Sequence, residues 1–304
     1  MYSDMASKTT NGLTSGIEVS KTYKIFINGA FPRTESGRYF ELKDANGKFL
    51  ANLCLSSRKD FRNAVVAARK AQSSWQDRNA YNKSQIIYRM AEMLQQKKAL
   101  FIEEMKHMGH SDQLANHEFA EAIDLIVYYA GWCDKYQQIY SSVNPVASSH
   151  FNFSVQEPTG VVAVMAEQGT ALSGVLKAML PAICGGNTVV MLASEPYPLC
   201  AVSFAEVIAT SDVPAGVVNI LTGKRAELHH HFASHMDVNA LVIWDAPAGV
   251  QVELGQLAAE NLKRCFFYQS DKSKHPGPQF IIDLQEVKTT WHPIEYITGS
   301  SSGY

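Results

Sequence analysis

Between residues 160 and 269 the sequence repeats one pattern. A short run of β-branched and apolar residues is followed by a longer segment with helical character. The runs are GVVAVMA (160–166), NTVVML (187–192), GVVNIL (216–221), NALVIW (239–244) and RCFFYQ (264–269). Between them lie ALSGVLKAMLPAIC, PLCAVSFAEVIATS, AELHHHFASH and GVQVELGQLAAENL. None of the first four runs alternates apolar with polar residues, so each reads as a strand covered on both faces. Strands of that kind joined through helices form a parallel sheet with helices on either side. The pattern therefore predicts a doubly wound, mostly parallel, Rossmann-like α/β sheet.

The segments before it read differently. Residues 23–55 contain the short strand candidates YKIFING, SGRYFEL and KFLANLCL, with turn signals at Asn28-Gly29 and Asn46-Gly47. Residues 58–138 read as helices. The first opens with Ser57 as N-cap and Asp60 three residues on, and carries Val65, Ala68, Ala71 and Trp75 on one face. FNFSVQEP (151–158) reads as one more strand after the loop SSVNPVASS. Residues 1–20 read as a disordered polar arm, 21–283 as the main domain, and 284–304 as a strand and tail.

Charge and cysteine usage narrow the function. A formal net charge of -2 over 304 residues argues against phosphate-driven nucleic-acid binding. No apolar run approaches the ~20 residues of a membrane span, and no secretory leader is visible. The five cysteines (54, 133, 184, 200 and 265) are scattered and form no C-x-x-C pair. That distribution fits reduced thiols in the cytoplasm better than a disulfide framework or zinc site.

The stretch CGGNTVVMLASEP (184–196) places a carboxylate, Glu195, just past a buried strand, where nucleotide folds hold a ribose hydroxyl. Together with FINGAFPRTESGRYF, SRKDFRNAVVAARKAQSSW, YYAGWCDK, FNFSVQEPTGVVAVM, LPAICGGNTVVM, DVPAGVVNILTG and ENLKR, in this order, it resembles the aldehyde dehydrogenase superfamily. LQEVKTTWHP (284–293) is similar to that family's C-terminal oligomerisation strand. The resemblance implies NAD as the family's cofactor and oligomeric assembly.

The departures from the family pattern bear on activity. The Trp-Asn-Phe-Pro stretch, whose Asn serves the oxyanion hole, corresponds to Gln168-Gly169-Thr170-Ala171, and loss of one such donor typically costs ~10²–10³ in rate. The Lys and Glu that hold the adenosine ribose correspond to Leu192 and Glu195. The Phe-Thr-Gly-Ser loop at the pyrophosphate corresponds to Ile243-Trp244-Asp245-Ala246, with Asp245 opposing a diphosphate. The general-base Glu corresponds to Tyr268. Where the family places a catalytic domain with a Gly-Gln-x-Cys nucleophile, this chain has room for a strand or two around GPQFIIDL (277–284).

The resemblance with these departures implies a non-catalytic aldehyde-dehydrogenase-like protein, catalytic domain absent, similar to the truncated second unit of two-unit members. No catalytic residue, metal site or working cofactor site is expected, and Glu195 reads as a vestige. The expected role is a structural or regulatory subunit, a homo-oligomer or a hetero-oligomer with an active aldehyde dehydrogenase. Its interface would lie on Leu284, Glu286, Val287, Lys288, Thr289 and Trp291, with the strand joining a neighbour's sheet. The alternative is a residual NAD(P)-dependent oxidoreductase or NAD sensor. Other eye-catching features read as structure. His229-His230-His231 reads as a solvated helix face, Cys184 and Cys265 as packed thiols, Tyr128, Tyr129 and Trp132 as core, and Glu103-Glu104 as an exposed pair. The cleft is expected to be small and closed by local side chains.

Overall fold

The computed structural model describes residues 21–294 apart from Ala45 and 271–276. The expected arm at 1–20 and the end of the tail at 295–304 lie outside the described residues. The repeating pattern folds as its composition dictates. Strands β5 (Val161–Met165), β6 (Thr188–Leu192), β7 (Val218–Leu221), β8 (Ala240–Trp244) and β9 (Arg264–Tyr268) form one parallel sheet in the order β7-β6-β5-β8-β9. The chain steps outward from β5 to β6 and β7, returns to pair β8 against β5, and ends on β9. The strand order thus reverses between β5 and β8, the place where open α/β sheets bind ligands beyond their carboxyl ends.

Alternate side chains serve two cores. Val162, Val164, Val189, Met191, Ile220, Val242 and Trp244 face one cluster, packed with α2 (Ala80–Gln96), α4 (Asp112–Ala130), α6 (Ser173–Cys184) and α7 (Leu199–Ala209). Val161, Ala163, Met165, Leu192, Leu221, Leu241 and Ile243 face the other, packed with α1 (Arg58–Gln76), α8 (Arg225–Ser234) and α9 (Ala248–Ala259). Burial on both faces is what excludes polar alternation from these strands. The α1 start carries the expected capping box: Ser57 Oγ accepts from Asp60 N, and the Asp60 carboxylate accepts from Ser57 N.

Strands β1 (Tyr39–Lys43) and β2 (Phe49–Cys54) form the hairpin announced by Asn46-Gly47. Residues 23–29 differ from the expected strand. They make single bridges, Tyr23 to Leu53, Phe26 to Ile220 and Ile27 to Ala30, because the chain turns back on itself at Asn28-Gly29, both with positive φ. Helices α3 (Lys98–His107) and α5 (Tyr136–Tyr140) complete the N-terminal layer. Residues 277–284 differ too: a short helix, α10 (Gln279–Ile282), follows Pro278 instead of a strand.

The tail strand β10 (Gln285–Pro293) pairs antiparallel with β4 (His150–Pro158), and β3 (Ser142–Asn144) covers part of the other edge of β4. The register between β10 and β4 is unbroken over nine pairs, from Gln285–Pro158 to Pro293–His150. One edge of β10 is therefore filled by its own chain, and no strand pairs with its other edge among the described residues. No helix among the described residues is long and apolar enough to cross a membrane.

Candidate functional site: the carboxyl edge of the parallel sheet

Beyond the ends of β5, β6 and β8, polar groups of the chain meet one another. Arg225, the first residue of α8, lays its guanidinium across the reversal point. It donates to the carbonyl of Trp244, which ends β8, at 2.6 Å, and to the carbonyl of Ala166, which follows β5. Glu195, after β6, accepts from the Arg225 backbone N–H and lies 3.4 Å from Lys224 Nζ. Glu195 thus holds the start of α8, where the helix dipole favours a negative charge.

Asp245 follows β8 with a positive φ of 57°. Its carboxylate accepts from the Ser270 N–H at 2.8 Å, from the Ser270 hydroxyl at 2.7 Å and from the Gln168 N–H at 3.3 Å. Burial pushes this carboxyl up, but the Ser270 and Gln168 hydrogen bonds and the Arg225 charge outweigh it and hold it below the ordinary aspartate value. Gln168 ties three strand ends together. Besides its N–H contact, its amide donates to Ala166 O and accepts from Glu195 N.

A second carboxylate sits at the start of α6. Glu118, from α4, accepts the N–H groups of Ala171, Leu172 and Ser173 at 2.8, 2.6 and 3.0 Å, and His110 Nε2 lies 3.1 Å from its other oxygen. Burial raises this carboxyl, yet the close His110 ring and the backbone N–H groups outweigh it and lower it. Neighbouring Glu167 is buried, and that burial pushes its carboxyl up despite Lys177 nearby. The helix starts that border this edge are thus occupied by the chain's own carboxylates, Glu118 at α6 and Glu195 at α8.

The other positions singled out from sequence separate. Leu192 is fully buried in the α1-side core. Gly169 is exposed, in the loop that leads into α6. The Tyr268 hydroxyl donates to Asp283 at 2.6 Å, and its ring meets Trp244 and Phe280 at 5.2 and 4.5 Å. Phe280 of α10 stacks on Trp244 at 5.9 Å. Cys184 lies at the far end of α6, its thiol 3.6 Å from Cys133, and Cys265 pairs with Leu241 near the amino end of β8. Neither thiol reaches the crevice, and burial pushes both up. His229 lies 3.9 Å from Glu253, and among the described residues no cluster suited to a metal ion forms. On β10, Leu284 beside it and Gln285 are buried, whereas Glu286, Val287, Lys288, Thr289 and Trp291 are exposed.

One sequence expectation is corrected. Glu104 is not an exposed residue but a buried one, accepting from Tyr23 and Ser203 hydroxyls at 2.9 and 2.6 Å. Arg225, Glu118 and Glu167 went unnoticed in the sequence. Their partners lie far along the chain, and the one local signal was a cation opening a helix, where a dipole disfavours it.

Residues 32–275 match the aldehyde dehydrogenase family. The chain belongs to that family. Among curated relatives, retinal dehydrogenase 2 of Gallus gallus is 30% identical over 272 residues, covering 86% of this chain and 51% of the relative. Mitochondrial 10-formyltetrahydrofolate dehydrogenase of Mus musculus is 27% identical, covering 90% of this chain and 30% of the relative. A solved NAD+ complex of aldehyde dehydrogenase from Bacillus cereus superposes with a TM-score of 0.78 at 25% identity, over 83% of this chain and 52% of that one. The chain thus spans about half the length, or less, of these family members.

Proposed function

We propose that this family member works without the family's chemistry, as a structural or regulatory subunit. The observation that carries the reading is the self-occupied carboxyl edge: Arg225, Glu195, Asp245 and Gln168 bind one another where a dinucleotide would need free donors. The structural neighbour from Bacillus cereus binds NAD+. Here an equivalent ligand would meet the Asp245 carboxylate and the Arg225 side chain. The position of the family's base is a tyrosine bound to Asp283. Only residues 269–284 separate β9 from β10, so no second α/β domain is inserted there.

Assembly is supported by the β10-β4-β3 sheet. Val143, Phe151, Val287, Trp291 and Ile294 are between 44% and 66% exposed on it, and among the described residues no strand pairs with the outer edge of β10. An open, partly apolar edge of this kind invites a partner strand. The partner is a second copy of this chain or an active aldehyde dehydrogenase, and the free cysteines fit a reducing cytoplasm.

The test has two arms. A ligand bound at 100 times its Kd stabilises a protein by ~2.7 kcal/mol, so millimolar NAD should give no thermal shift, and aldehydes should give no steady NADH. Light scattering should show an oligomer that deletion of 284–304 converts to a monomer. NADH production would remove the non-catalytic reading in favour of a residual oxidoreductase. A full-length monomer that co-purifies with no dehydrogenase would remove the assembly reading.

A further inference from the structure

A cavity opens in the N-terminal layer, apart from the carboxyl edge of the sheet. It holds about 750 Å³, inside the ~300–1,000 Å³ range of small-molecule sites. Residues 21–24, the turn around Thr34 and Gly37, and the hairpin of β1 and β2 wall it, with His107 of α3 at its side. Among the described residues none beyond His107 lines it, so it shares no side chain with the crevice described above. Its lining sets Lys21, Lys24, Arg33 and Arg38 against one acid, Glu35.

The charges on this wall are not equally engaged. Lys21 pairs with Glu206 at 3.0 Å, Arg38 with Glu227 at 2.8 Å, and Glu35 is held by Lys59. The Lys24 and Arg33 side chains have no ion-pair or hydrogen-bond partner among the described residues, and Lys24 is half-buried. A cation partly withdrawn from water without a counter-ion gains from an anion delivered to it. The apolar wall follows from the hairpin register. Leu42, Ala51 and Leu53 are buried on one face, so Tyr39, Asn52 and Cys54 share the other, and all three line the cavity. Phe49, which opens β2, lines it too; its ring and that of Tyr39 are 49% and 64% exposed.

We propose that this cavity binds a small organic anion with a flat apolar body, an aromatic carboxylate or phosphate ester. Arg33 and Lys24 receive the charged oxygens, which the planar guanidinium fork matches well, and Tyr39 and Phe49 cover the body. Two cations without an acid of their own select against neutral molecules, and the aromatic pair selects against a bare inorganic ion. The site does not rest on the chain's lacking dehydrogenase chemistry, and its failure would leave that reading untouched.

The experiment titrates the full chain with anilinonaphthalene sulfonate, an aromatic anion that fluoresces in an apolar site, and with phenylnaphthylamine, the same rings without the sulfonate. The expected result is saturable one-to-one binding of the sulfonate, displaced by phenyl phosphate and not by inorganic phosphate. Lys24→Gln with Arg33→Gln should weaken the sulfonate roughly three- to thirtyfold, the span of two partly exposed ion pairs, and leave the amine unchanged. Arg62→Gln with Lys70→Gln removes the same charge from the exposed face of α1, outside the cavity, and should change neither probe. Phe49→Ser should weaken both. These substitutions fall on exposed or half-buried side chains, and circular dichroism checks that each variant is folded. The proposal is overturned by an unsaturable titration, by equal weakening in the α1 pair, or by unchanged affinity in the Lys24 and Arg33 pair. It is likewise overturned if phenyl phosphate does not compete, if inorganic phosphate competes as well, or if Phe49→Ser alters neither probe.

Discussion

Replacing Glu118 with alanine should destabilise the protein by ~3–5 kcal/mol, because it leaves three backbone donors at a buried helix start without their acceptor. Three backbone N–H groups at the start of α6 lose their common acceptor, and α6 has no side-chain cap of its own to replace it. An unmade buried donor costs ~1–3 kcal/mol, and loss of a negative charge at a helix start adds ~0.3–1 kcal/mol. Relief from burying a carboxylate offsets part of that sum. Glu118→Gln keeps one acceptor oxygen without the charge and should cost only ~1–2 kcal/mol. Urea unfolding followed by circular dichroism measures both. The pH dependence separates charge from shape. The folded state holds the Glu118 carboxyl below its ordinary value, so the unfolded chain binds the proton more readily. Its stabilisation is complete above the unfolded value of ~4.3 and fades as pH falls through the lower folded value. The wild-type protein should therefore lose stability more steeply in acid than Glu118→Gln. An alanine variant within ~1 kcal/mol of wild type, or parallel acid limbs, would refute the assignment.

Asp60→Ala removes the acceptor shared by Thr34, Glu35 and Ser57 and should cost ~2 kcal/mol in the same urea assay. Gly216→Ala should cost at least ~1 kcal/mol, because φ is +87° and the new Cβ would stand 2.6 Å from the Ala67 carbonyl of α1; a neutral result would count against the packing of α1 on β7. Lys263, pulled down to about 8 by burial, binds its proton less firmly folded than unfolded. Stability should accordingly rise as pH climbs from about 8 toward lysine's ordinary ~10.4, a rise that Lys263→Met should abolish.

Much of the fold was legible because its signals are local. The capping box at Ser57 and Asp60, the Asn46-Gly47 turn and the apolar strands each announce themselves within a few residues. Residues 277–284 misled because Phe280, Ile281 and Ile282 look like a strand. Pro278 nevertheless opens a helical turn, and Ile281 is fully buried. Glu104 misled because its partners Tyr23 and Ser203 lie 81 and 99 residues away. The candidate site was legible at Glu195 and Asp245, since both follow strands at positions the family resemblance marks. It was illegible at Arg225 and Glu118. The Arg225 contacts span 19 and 59 residues and those of Glu118 span 53 to 55, distances that leave no periodic trace.

The pairing of β10 with β4 has a consequence for the newly made chain. Ser154 and its cross-strand neighbour Thr289 stand 135 residues apart. At roughly 5–20 residues per second, β4 leaves the ribosome on the order of ten seconds before its partner exists. For that interval β3 shields only its near side, along Asn152–Ser154. The far side, flanked by Phe151 and Phe153, stays open to any extended chain nearby. Any strand seated there in that interval has to be displaced when β10 arrives, so β10 closes its own sheet in competition rather than onto an empty edge.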